Sequence, residues 1–156
     1  MNIADINHIL IIGAGTMGQQ IALQCAAFGY KVSLYDIDEA ELQSAMTQIK
    51  EYTSQLKAAT RLSGLRATEV VGRITPTTDA VQAAAEADLV SESVPEDPHL
   101  KGEVFARFNA LCPPHTIFTT NTSSLVPSMF AEATGRPAQF AALHFHQVVW
   151  DSNVVD

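Results

Sequence analysis

The sequence predicts an α/β domain, a doubly wound and mostly parallel sheet with helices on both faces. Three observations predict it. Short β-branched, apolar runs alternate with helical stretches along the whole chain, and parallel strands need crossover connections that become the covering helices. The first such run breaks directly into a glycine-rich turn that opens a helix. Finally, 156 residues that are 47% hydrophobic and 17% charged suffice for one domain, residues 1–156, with its own core, and exclude a disordered or collagen-like chain.

The elements follow in order. His8 to Ile12 is short and apolar and reads as a buried strand ending at Gly13. Thr16 to Phe28 carries Met17, Ile21, Ala22, Cys25 and Phe28 at helical spacings, with Gly29 as a stop signal. Lys31 to Tyr35 is the second strand, and Glu39 to Leu56 a long helix continuing toward Leu65. Gly72 to Thr75 reads as a short strand, Asp79 to Ala87 as an alanine-rich helix, and Asp88 to Val94 as a buried strand ended by Pro95. Pro98 suits a first helical turn. Leu100, Val104, Phe105, Phe108 and Leu111 then mark one apolar face until Pro113 and Pro114. Thr116 to Thr120 is the next strand, a helix is expected around Val126 to Ala133, and Phe140 to Phe145 is the last strand.

Nine basic against seventeen acidic residues give a formal charge of -8, so no general attraction to nucleic acid or anionic membrane is expected. Any anionic ligand must be held locally. Cys25 and Cys112 stand far apart with no CxxC spacing, which predicts neither a disulfide framework nor a zinc site and fits a reduced cytoplasm. The opening MNIADINHILIIGAG resembles neither a signal peptide nor a membrane span.

Gly13-Ala14-Gly15-Thr16-Met17-Gly18 is a GxGxxG between a predicted strand and a predicted helix, the context of a Rossmann-type dinucleotide site. Gly13 permits the tight turn, Gly15 lets backbone amides approach a pyrophosphate, and Gly18 packs helix on strand. The helix N-terminus adds unpaired amides and partial positive charge. Asp36, eighteen residues past Gly18, ends the second strand, where its carboxylate can accept from ribose hydroxyls and would repel a 2′-phosphate. NAD is therefore the expected cofactor, and not NADP. Asp38 reads as a helix cap. Ligands of such sheets sit outside the carboxyl ends of the strands, which marks Ile37, Val94 and Pro95 as further cofactor contacts.

GAGTMG, SESVPEDPHLKGEVF, TNTSSL and LHFHQ, in this order and spacing, resemble the L-3-hydroxyacyl-CoA dehydrogenase family, which includes the 3-hydroxybutyryl-CoA dehydrogenases. The resemblance spans the whole chain. It implies a Rossmann-like N-terminal domain followed by a helical domain that supplies dimer contacts and much of the acyl-CoA site. The 156 residues then correspond to the first half of a homodimeric protein about twice as long. It implies reversible oxidation of the 3-hydroxyl of an acyl-CoA, with His144 as general base. An imidazole suits that role because its unperturbed pKa lies near neutrality. The family pairs this histidine with a glutamate at the position matched by Asp156. Ser123 matches the serine that hydrogen-bonds the reacting oxygen, Asn121 and Ser124 fall on the nicotinamide side, and Glu96 and Lys101 match cofactor-contacting positions. Read from the sequence alone, Lys101 is equally a solvated helix charge.

Two departures stand out. The family usually reads HFFNP where this chain reads His144-Phe145-His146-Gln147-Val148, so Gln147 replaces an active-site asparagine and the proline is absent. Gln147 keeps the amide chemistry on a longer stem. His144 and His146 project to one face of a strand, but two ligands without a nearby third do not make a metal site, and no metal is expected. Alternative expectations are a dehydrogenase of another 3-hydroxy compound and a non-catalytic NAD-binding module.

Overall fold

The computed structural model describes residues 3–59, 62, 67–152 and 155–156. Among the described residues six strands form one sheet: β1 (His8–Ile12), β2 (Lys31–Tyr35), β3 (Ile74–Thr77), β4 (Leu89–Glu92), β5 (Ile117–Thr120) and β6 (Phe140–Ala142). Their order is β3-β2-β1-β4-β5-β6, and every pairing is parallel. This is the Rossmann arrangement, and its switch point falls between β1 and β4.

Side chains alternate across the sheet because the strand period is two. Ile9 and Ile11 of β1 therefore face one core, built with α1 (Thr16–Ala27), α2 (Glu39–Ala58) and α3 (Ala67–Val71). Leu10 and Ile12 face the other, built with α4 (Ala80–Ala84) and α5 (Pro98–Leu111). In the second core Phe105 meets Phe118, Phe130 and Phe140 at centroid distances of 6.1, 5.8 and 5.0 Å. Removing this fully buried ring by Phe105→Ala is worth about 3–5 kcal/mol.

The helices start where capping chemistry dictates. Asp38 accepts from the Ala40 amide at 2.8 Å at the start of α2, the cap the sequence suggested. Asp97 accepts from the Leu100 amide at 2.8 Å, with Pro98 in the first turn of α5.

Four expectations shift. The α2 helix ends at Ala58, and of its expected continuation residues 60, 61 and 63–65 lie outside the described residues. The third strand starts at Ile74 because Gly72 and Arg73 still bond back to Thr68 and Val70 at the end of α3. The helix expected near Val126 to Ala133 is instead two 3₁₀ turns, Pro127–Met129 and Glu132–Thr134. Pro127 lacks an amide proton, Thr134 bonds its hydroxyl back to Ala131, and Gly135 turns left-handed at φ +64°. The last strand stops at Ala142, although Leu143 still donates to Thr120 at 2.9 Å. Beyond it the Asn121 side chain takes over the pairing, accepting from the Phe145 amide at 2.7 Å. A short helix that the sequence did not suggest, α6 (Val149–Ser152), then packs Trp150 on Tyr52 of α2 at 5.0 Å. No helix among the described residues is long and apolar enough to cross a membrane.

Candidate functional site

The turn after β1 is built by its three glycines in three ways. Gly13 sits at φ +101°, and a Cβ there would lie 2.6 Å from Ser93 O. The spacing predicts that Gly18 packs helix on strand; a Cβ there would lie 3.4 Å from Ile11 Cγ2 of β1, but it would first collide with the turn, 1.8 Å from Gly13 O. Gly15 differs from both, because a Cβ on it would meet nothing within 4 Å. Its lack of a side chain keeps the space above the turn open for a ligand. Gly15 is also the N-cap of α1 and offers no side-chain acceptor, so the first amides of the helix remain bare. Bare amides at the positive end of a twelve-residue helix suit a phosphate.

Above this turn, along the carboxyl ends of β1, β2 and β4, lies a cleft of about 660 Å³, well sized for a cofactor. Gly13, Gly15, Thr16 and Met17 form its floor. Asp36 and Ile37 line the β2 side, and Val94, Pro95 and Glu96 the β4 side. Asn121 and Ser123 close the far end. Asp36 accepts from the Ala14 amide through Oδ2 at 2.8 Å and from the Asp38 amide through Oδ1 at 3.1 Å, which fixes its carboxylate at the lip. Ala14, Gly18, Lys101 and Ser124 are not among the lining residues. Ala14 spends its amide on Asp36, and Gly18 is packed on Gly13.

The sequence reading missed the opposite wall. Leu100, Val104 and Arg107 recur at helical spacing on α5 and line the cleft with Tyr35. Arg107 donates to the Tyr35 hydroxyl at 3.0 Å and lies 5.7 Å from its ring centroid. The i, i+4, i+7 spacing of these three residues is the available signal, masked by the apolar face that Leu100 and Val104 form with Phe105 and Phe108.

Lys101 is neither a solvated charge nor a lining residue. Its side chain is 1% exposed, and Nζ donates to Glu92 Oε1 at 2.7 Å and to Val94 O at 3.2 Å, with Glu96 Oε2 at 3.3 Å. Glu96 in turn organises the TNTSSL loop. Its Oε1 accepts from the Thr122 hydroxyl at 2.5 Å and, at 3.0 Å each, from the Ser123 amide, the Ser124 amide and the Ser124 hydroxyl. Burial works to raise the Glu96 pKa. The Thr122 and Ser124 donors and the Lys101 charge outweigh it and hold the carboxyl down at about 2.

The HFH segment follows β6. His144 and Asp156 exchange both backbone hydrogen bonds, at 2.8 and 3.0 Å, next to the Phe145–Val155 antiparallel bridge. The expected partner of His144 is thus adjacent, but its carboxylate goes elsewhere: Asp156 Oδ2 lies 2.8 Å from His146 Nε2. The His144 and His146 rings are 4.8 Å apart. None of these three, nor Gln147, lines the cleft. Gln147 accepts from the Ser152 hydroxyl through its backbone carbonyl at 3.1 Å.

Fold and site together define an NAD-binding domain of Rossmann type: the strand order, the bare helix start above an open glycine and the acidic lip each suit that cofactor. Residues 8–156 match the family described as 3-hydroxyacyl-CoA dehydrogenase, NAD binding domain, and the chain belongs to that family. It is 35% identical over 149 residues to the mitochondrial hydroxyacyl-coenzyme A dehydrogenase of Homo sapiens, covering 92% of this chain and 48% of that protein. The crystal structure of 3-hydroxybutyryl-CoA dehydrogenase from Escherichia coli K12 superposes with a TM-score of 0.91 at 34% identity, covering 97% of this chain and 32% of that one. A diketoreductase studied for dual catalysis of dicarbonyl compounds superposes at 0.81 with 36% identity, covering 96% and 53%. The chain spans about half or less of the length of the curated relatives it matches.

Proposed function

We propose that the chain is the cofactor-binding part of an enzyme that interconverts 3-hydroxyacyl-CoA and 3-ketoacyl-CoA, with His144 as general base. The observation that carries this reading is the coupling of the serine loop and the histidine segment. Ser123 lines the cleft with its amide held by Glu96, while Asn121, two residues earlier, holds the amide between the two histidines. Bound NAD supplies the hydride acceptor. The bare amides of α1 bind its pyrophosphate and Asp36 its ribose hydroxyls, and that carboxylate disfavours NADP. The Ser123 hydroxyl hydrogen-bonds the substrate oxygen, and a ring nitrogen of His144 takes the proton that this oxygen gives up as the ketone forms. Asp156 holds His144 through the backbone pair.

In this reading a helical domain of a longer, homodimeric protein completes the acyl-CoA site. The 156 residues alone bind NADH but turn substrate over slowly, because positioning and exclusion of water are incomplete. The test is acetoacetyl-CoA reduction by the full-length protein, wild type and His144→Gln, with NADH binding measured beside it. A kcat loss of about 10²–10⁴-fold with unchanged NADH affinity is expected. Unchanged kcat would remove His144 as the base, no reduction by the wild type would leave a non-catalytic NAD-binding module as the reading, and rapid turnover by the 156 residues alone would remove the need for a second domain.

A second reading, a dehydrogenase of another 3-hydroxy compound, is favoured by one observation. His146 and Asp156, 42% and 68% exposed, add an imidazole and a carboxylate beside His144, where the usual HFFNP has phenylalanine in place of His146. The likeness to a diketoreductase points the same way. A panel of acyl-CoA thioesters against free 3-hydroxy and 3-keto acids separates the two.

A further inference from the structure

Two histidines two residues apart on extended chain present their rings to the same side. The backbone pair between His144 and Asp156 sets those residues directly opposite one another on antiparallel segments, and directly opposite residues share a face. The carboxylate therefore joins the imidazoles, and one ligand atom each from His144, His146 and Asp156 lies within 4.8 Å of the others. The sequence offered two ligands, and folding brings the third.

We infer that His144, His146 and Asp156 form a binding site for a borderline divalent transition cation, zinc foremost, with solvent completing its coordination. The donor set is two neutral imidazole nitrogens and one carboxylate oxygen, which suits zinc, whereas magnesium and calcium take oxygen ligands. Bonds of about 2.0–2.1 Å in a tetrahedron put ligand atoms roughly 3.3–3.5 Å apart, so the widest pair here must close by about 1.5 Å. Rotation of half-exposed side chains covers that, and 42% and 68% exposure at His146 and Asp156 leaves them free to rotate. The backbone frame is already hydrogen-bonded. The two His144–Asp156 backbone bonds fix one side, and the Asn121 side chain fixes the Phe145 amide between the histidines on the other. Zinc would replace the hydrogen bond that Asp156 now accepts from His146 with a metal bond to each.

Such an ion occupies the lone pair of His144 and so blocks its service as a base. That consequence, unlike the site itself, rests on the function proposed above. The test is calorimetric titration of the purified protein with Zn²⁺, with Mg²⁺ as control and Co²⁺ absorption as a report of nitrogen and oxygen ligation. One zinc per chain is expected. His146→Phe and Asp156→Asn, both at exposed positions, are each expected to weaken it by at least ~100-fold, beyond the 10–100-fold typical of outer partners. NADH affinity and far-UV circular dichroism of both variants should match wild type, since neither residue lines the cleft. Absence of zinc binding by the wild type, or binding that survives either substitution, overturns the site. If zinc binds as described yet leaves turnover by the full-length protein unchanged, the assignment of His144 as base fails and the site stands.

Discussion

Lys101 Nζ lies 2.7 Å from Glu92 Oε1, and neither side chain is more than 1% exposed. The pair joins the end of β4 to the first turn of α5 across the loop that carries Val94, Pro95 and Glu96, so it shapes one wall of the cleft from beneath. Glu92 also accepts from the Val94 amide at 2.7 Å and the Thr120 hydroxyl at 2.6 Å. Lys101→Met strands this carboxylate without its cation and should cost about 3–5 kcal/mol in denaturant unfolding. Adding Glu92→Leu should recover part of the loss, because both charges are then gone. A single variant within ~1 kcal/mol of wild type would mean the pair bears little of the fold.

Gly15 and Gly18 should separate binding from stability. Gly15→Ala meets no protein atom and should change stability by no more than about 1 kcal/mol, while crowding the pyrophosphate. Overpacking of about 1–3 kcal/mol corresponds to roughly 5- to 150-fold weaker NADH binding. Gly18→Ala collides with Gly13 O and should lower both the melting temperature and the affinity. Equal effects of the two on melting would remove the distinction.

Glu96 makes the serine loop sensitive to acid. Its folded pKa, near 2, is below the ordinary carboxyl value, so its stabilisation is present above the unfolded pKa and is lost as pH falls through about 2. Unfolding free energy should therefore fall more steeply between about pH 4.5 and pH 2 for wild type than for Glu96→Gln. Parallel curves would show that Glu96 contributes nothing to that slope.

The two thiols should be nearly inert. Burial raises Cys25 to about 12, only partly offset by its backbone hydrogen bond, and raises Cys112 to about 11 against the pull of Arg136. At pH 8 a disulfide reagent should label the native protein far more slowly than the denatured one. Fast labelling of either thiol in the folded state would contradict this.

The parts of the fold that could be read in advance are those fixed by local rules. Strand β1, the glycine turn, α1 and the Asp38 cap follow from spacing, capping and glycine stereochemistry, and each stands within a residue of its expected limits. Misread segments obey tertiary partners instead. Lys101 looks like a surface lysine on its helix until β4 supplies Glu92, nine residues back, and no periodicity reveals a buried acid there. Likewise Asp156 stands opposite His144 through the backbone, while its carboxylate bonds His146 on the face that all three share. Arg107 was hidden by good apolar spacing on α5, where core and cleft wall share one stripe.

The sheet that divides the interior into two cores also divides the labour. Phe145, Val149 and Trp150, which carry the histidine segment, are seated among α1 and α2 on one face, whereas Tyr35, Val94, Val104 and Phe108 back the cleft from the other. Repacking the first face bears on the aim of the imidazoles and reaches the cleft through the start of α1, where Met17 belongs to both. If His144 is the base, the side chains that aim it and those behind the β2 side of the cleft lie on opposite faces of one sheet, joined by α1.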